Sequence, residues 1–169
     1  KTGINQGVPI SFYIQFLNGL PVIVSRKNST TADDYLAMAW SSQDKVGRDQ
    51  TVIRLLNEAL KINEDVPQAY FLLAYTNSNL KDYPSAIKNY TKAIKLDPAN
   101  NNSYLNRGFN KHSLGDYIGA IRDFNKSLQI DPNFADTYSY LARSKIEIGM
   151  HEEAMLDYKM AIKLEPNNS

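Results

Sequence analysis

The residues with reactive side chains are few and badly placed for catalysis. The two histidines, His112 and His151, lie far apart in the chain, and neither has a set of partner residues at metal-ligand spacing. Both read as solvated helix residues, with His151, which stands at an aromatic packing position, partly buried. There is no cysteine, so thiolate chemistry and disulfide frameworks are excluded. No glycine-rich phosphate loop, nucleophile elbow or paired-carboxylate arrangement occurs. The acidic residues of Asp97-Pro98, Asp131-Pro132 and Glu165-Pro166 read as helix stops rather than acid–base groups. The Asn-x-Ser/Thr triplets at Asn28, Asn89, Asn101 and Asn125 are accidents of an Asn-rich chain, and those inside helices are poor glycosylation acceptors. No enzymatic activity and no cofactor is expected. What remains is recognition chemistry: 11 tyrosines, 6 phenylalanines and many amides, the means by which one protein surface holds another. A basic total of 19 against an acidic total of 18 gives no concentrated positive field, so a nucleic-acid partner is not expected.

The elements that position these residues come from an internal repeat. The chain matches itself at an offset of 34 residues, the mark of a stacked architecture. Tyr70, Tyr104 and Tyr138 fall in register, as do Ala86, Ala120 and Ala154, and Tyr90, Phe124 and Tyr158. Ala93, Ser127 and Ala161 follow, then Leu96, Ile130 and Leu164, and last Pro98, Pro132 and Pro166. Each unit reads as a helix hairpin. In the middle one, the first helix is expected over Tyr104–Leu114 and breaks at Gly115-Asp116, where a left-handed residue costs least. The second runs from Tyr117 to Ile130 and ends at Asp131-Pro132. Small residues at Gly108, Ala120 and Ser127 permit close helix approach, and Tyr104 and Phe124 fill the space around them. All six aromatics at repeat positions are expected to be core. One hairpin cannot bury its apolar face alone, so the units must stack.

The stretches AYFLLAYTNSNLKDYPSAIKNYTKAIKLDP, YLNRGFNKHSLGDYIGAIRDFNKSLQIDP and TYSYLARSKIEIGMHEEAMLDYKMAIKLEP resemble tetratricopeptide repeats. Departures are confined to single positions: Arg107 for the usual Leu, and Lys111 and Lys145 for the usual Tyr. The resemblance implies an all-α, right-handed superhelical stack whose first helices line a concave groove. It places Phe71, Leu72, Tyr75 and Asn79 in that groove, then Leu105, Asn106, Phe109 and His112, then Ser139, Tyr140 and Arg143. Phe71 and Tyr75 are four apart on one helix face, as are Leu105 and Phe109. Apolar anchors flanked by amides suit an adaptable peptide site, so the expected function is a non-catalytic interaction scaffold holding a segment of a protein partner. The alternative is that the N-terminal segment or an adjoining chain covers this row. Relatives that clamp the C-terminal carboxylate of chaperones need cations at set positions. Here those positions fall on Phe71, Tyr75, Asn106, Asp136 and Tyr140, or one unit earlier on Ala37, Ser41, Leu72, Asn102 and Asn106. Neither register supplies the charge, and that subtype is rejected.

The repeats divide into residues 67–100, 101–134 and 135–168, preceded over 32–66 by a degenerate or capping unit. Val52, Leu56, Ala59 and Ile62 there precede Ala86, Tyr90, Ala93 and Leu96 by the repeat length, and Tyr35, Leu36, Ala39 and Trp40 lie on its first helix, Ala32–Ser42. Residues 1–31 form a short N-terminal arm. Ile10, Phe12, Ile14 and Phe16 alternate with Ser11, Tyr13, Gln15 and Leu17 before Asn18-Gly19 and Val22-Ile23-Val24, the pattern of a β-hairpin. Residues 2–25 lack charge, which raises the reading of a membrane-associated assembly factor anchored through residues 4–24; the interaction module of a larger enzyme is a separate alternative. Pro9, Pro21 and Asn18-Gly19 argue against a spanning helix. A cytoplasmic location is the default expectation. Self-association is expected through the arm or through the side of the last repeat carrying Leu141, Ile148, Met155 and Ile162.

Overall fold

A computed structural model describes residues 12–17, 20–25, 30–42 and 49–165, with side chains from residue 30 onward. Two strands, β1 (Phe12–Leu17) and β2 (Leu20–Ser25), pair antiparallel with Phe12 opposite Ser25 and Leu17 opposite Leu20. The Asn18-Gly19 dipeptide expected to turn this hairpin lies outside the described residues. The part of the 4–24 anchor segment that is described is therefore strand, and no helix among the described residues is long and apolar enough to cross a membrane.

Among the described residues eight helices follow: α1 (Ala32–Ser42), α2 (Asp49–Ile62), α3 (Pro67–Asn79), α4 (Tyr83–Leu96), α5 (Asn101–Ser113), α6 (Tyr117–Ile130), α7 (Ala135–Glu147) and α8 (His151–Leu164). Their ends have local causes. Asp82 and Asp116 cap α4 and α6, their carboxylates accepting the N–H of Ser85 (3.2 Å) and Gly119 (2.9 Å), which satisfies donors that a helix start leaves orphaned. Asn100 caps α5 in the same way through Ser103 at 3.0 Å, so this helix begins three residues before the expected Tyr104. Gly115 and Gly149 take left-handed conformations with φ of 82° and 81°. Lys81, the residue in the same register of the first of these three units, does so at φ 61°.

Within each hairpin the second helix lies on the first through small residues. Ala86, Ala120 and Ala154 are buried, and Tyr90 and Phe124 have no exposed surface at all. Gly108 is obligatory here, because a Cβ at this position would come within 2.7 Å of the Phe124 ring. The expectation that all six repeat aromatics are core is corrected in part: Tyr70, Tyr138 and Tyr158 are only half-buried. Arg107 and Lys111, departures from the repeat pattern, acquire a role in packing. Arg107 donates Nε and Nη2 to Asp123 at 2.8 and 2.6 Å, and Lys111 Nζ lies 2.8 Å from the same carboxylate. One unit on, Lys145 pairs with Asp157, so these three first-helix cations each meet an acid on the second helix of their own unit.

Stacking gives the solenoid its inner and outer rows. The first helices of neighbouring units touch one another (α1 with α3, α3 with α5, α5 with α7), whereas among the described residues the second helices do not. Each second helix instead packs against the first helix of the next unit. Units closer together along one row than the other must curve, with α1, α3, α5 and α7 inside.

Candidate partner-binding face

The inner row carries the residues expected from the sequence, but not all reach the surface. On α3, Tyr75 is 38% exposed and Asn79 is exposed. Phe71 is half-buried, its ring edge-on to Tyr90 at 5.5 Å. Leu72 does not line the face. It is fully buried in the cluster formed with Met38, Val52, Leu56 and Ala69, because the preceding hairpin α1–α2 covers the side of α3 it occupies. Leu105 of α5 is likewise withdrawn into the cluster of Ala120, Phe124 and Leu141. These two are corrections. The spacing put them on the correct helix, but a neighbouring unit takes up the face they share.

The remaining residues form a connected surface across α5 and α7. Phe109 meets Tyr140 edge-on at 5.5 Å, and Tyr140 stacks on Phe124 at 6.0 Å. Tyr140 therefore joins the half-open row to the closed core and cannot turn away from it. The Arg143 guanidinium lies over the Tyr140 ring, 5.8 Å from its centre, a cation–π contact that leaves Arg143 exposed. Asn106 is held by donating Nδ2 to the Asn102 carbonyl at 2.8 Å, and Ser139 is half-buried.

His112 departs from the solvated reading. It is half-buried, with Nδ1 2.9 Å from Ser144 Oγ on α7 and its ring edge-on to Tyr117 at 5.2 Å. Burial first, and then the Arg143 charge, hold its pKa below the ordinary 6.5, against the opposing pull of Glu147. A neutral imidazole so placed ties α5 to α7 through its Nδ1. His151, expected to be partly buried, is exposed.

Sequence reasoning missed a recess at the start of the row. Trp40, Pro67, Gln68, Phe71, Ala93, Asp97, Asn100, Asn102 and Ser103 surround about 190 Å³ of open space. The signal was present in the register: Trp40 stands in the column of Ala74, Gly108 and Ala142, the column that must be small where two helices cross. An indole cannot enter that crossing, and Trp40 remains 49% exposed beside α3.

The hairpin geometry, the small-residue crossings and the inner row of first helices define a superhelical repeat protein. Family profiles described as the tetratricopeptide repeat match residues 67–100, and again 102–134 and 135–168. The chain belongs to the tetratricopeptide-repeat family. No curated protein matches it in sequence. Among solved structures it is similar to a crystal structure of MamA, with a TM-score of 0.77 and 23% identity over 81% of this chain and 80% of that one. It is also similar to MamA AMB-1 (TM-score 0.72, 26% identity, 82% and 75% covered) and to a double mutant of MamA RS-1 (0.77, 15%, 84% and 79%). The likeness is one of fold. Family and fold are those of protein-interaction scaffolds.

Proposed function

We propose that the inner face of α3, α5 and α7 binds a segment of a partner protein, with Phe71, Tyr75, Phe109 and Tyr140 as apolar anchors and Asn79, Asn106, His112 and Arg143 as the polar contacts around them. One observation carries this reading. Consecutive first helices present half-open aromatic rings that are fixed from behind by the core, Phe71 by Tyr90 and Tyr140 by Phe124. A ring locked on one side and open on the other loses little entropy when a partner covers it, which is what a binding anchor requires. The amides and the neutral His112 supply donors and acceptors for a partner's backbone.

Photo-crosslinking in cells tests the reading. A benzophenone amino acid placed at Tyr75, on the inner row, should trap a defined partner band. The same group at Lys92, exposed on the outer helix α4, should not. Equal trapping at both positions, or trapping at Lys92 alone, would place the interface elsewhere.

A further inference from the structure

The recess walled by Trp40 and Phe71 has a chemistry of its own. Its lining brings an indole from α1 and a phenyl ring from α3 together with the Asp97 carboxylate and the polar side chains of Gln68, Asn100 and Asn102. Asp97 is the residue that ends α4. A carboxylate there adds full negative charge to the negative end of a helix dipole, the position where a cation is favoured and an anion is not. Its carboxylate accepts only the Ala99 N–H, at 3.2 Å on Oδ1, and forms no ion pair among the described residues. Trp40 and Phe71 add two aromatic rings, the side-chain type whose π-face attracts a cation.

The same recess recurs two units later. Ala135, Asp136, Ser139, Ala161 and Glu165 line it there, in the register of Pro67, Gln68, Phe71, Ala93 and Asp97, and again a carboxylate residue follows the second helix. In the unit junction between them the position of Asn100 is taken by Phe134, which packs against the Leu105, Phe124 and Leu141 cluster. A short polar residue at Asn100 is what leaves the first recess open.

We infer that the Trp40–Phe71–Asp97 recess is a subsite for a basic side chain of the bound partner segment. The cation stacks against the aromatic walls, meets the Asp97 carboxylate, and is oriented by the Gln68, Asn100 and Asn102 side chains. The inference rests on the inner face being the binding face, and it adds the partner's charge at one position.

Trp40 is the single tryptophan in the chain, so its fluorescence reports on this recess alone. The full chain is titrated with a short glycine–serine peptide bearing one central arginine. The same peptide with citrulline, which keeps the shape and removes the charge, and with glutamate serve as comparisons. The arginine peptide should give a saturable change in Trp40 emission at least about tenfold tighter than the citrulline peptide, weakened by added salt. Asp97→Asn should bring the arginine peptide to the citrulline level. Equal responses to arginine and citrulline, no emission change up to the solubility limit, or an unaltered preference in Asp97→Asn would each overturn the inference. Crosslinking at Tyr75 with no arginine preference at Trp40 would sink this subsite and leave the inner face standing. Loss of the Tyr75 crosslink with the preference intact would do the reverse.

Discussion

Aromatic side chains in this molecule divide into those that hold the fold and those held by it, and the two groups should respond differently to truncation. Phe124 has no exposed surface and fills the crossing at Gly108. Phe124→Ala is expected to cost about 3–5 kcal/mol, the usual penalty for emptying a closed aromatic site. Tyr75, open to solvent, should change stability by no more than about 0.5 kcal/mol when cut to alanine. Phe71 and Phe109 fall between, at about 2 kcal/mol each, because more than half of each side chain is already covered. Urea unfolding followed by circular dichroism ranks the four, and a Tyr75→Ala loss as large as that of Phe124→Ala would make Tyr75 core. His112 adds a pH dependence with a definite sign. Its folded pKa is lowered, so below about 6.5 the unfolded chain binds the proton more readily than the folded one. The stability contributed by neutral His112 is therefore present above pH 6.5, the ordinary value, and is lost as pH falls toward the folded pKa. Denaturation midpoints measured on either side of that value should show this slope, and His112→Gln should flatten it.

At the scale of the helix, the turns within the last three hairpins, at Lys81, Gly115 and Gly149, are where backbone strain can enter. Gly115 and Gly149 adopt positive φ freely, but Lys81 holds the same conformation with a Cβ attached. Left-handed backbone costs a residue with a side chain about 1–2 kcal/mol. Lys81→Gly should recover about 1 kcal/mol, offset slightly by the extra freedom of glycine in the unfolded chain. Gly115→Ala should lose a comparable amount. Both are read from thermal unfolding of single variants, and a destabilised Lys81→Gly would show that the lysine side chain makes a compensating contact.

Across the described repeats, α8 exposes apolar positions that α2 and α6 cover. Ile53 and Leu60 of α2, and Ile121 and Leu128 of α6, are half-buried against the first helix of the following unit. Their register counterparts on α8, Met155 and Ile162, are 54% and 56% exposed, whereas Leu141, expected on the same side, is buried against α5 and α6. Exposed apolar side chains in this register offer a surface to a further helix, whether of the same chain or of a second copy. Sedimentation velocity should show species that grow with concentration, and Met155→Glu with Ile162→Glu should return them to monomer. Removal of residues 1–31 should leave that behaviour unchanged if the α8 face makes the contact. A monomer at every concentration for the unaltered chain would remove this expectation.

The period, the helix pairs, their stops and the small-against-large crossings were legible in the sequence because each depends on residues of the same or the adjacent helix. Pro98 and Pro132 end helices whatever surrounds them, and Gly108 must be small because Phe124 lies a fixed number of residues away. The surface was not legible in the same way. Leu72 and Tyr75 share a helix and nearly a face, yet one is sealed by the preceding hairpin and the other open. Helical periodicity orients a side chain about its own axis, while the next unit decides whether that direction meets protein or water. The same reason hid the Arg107–Lys111–Asp123 cluster and turned His112 toward Ser144. Such contacts join residues on different helices, brought within reach only when the hairpins close and stack.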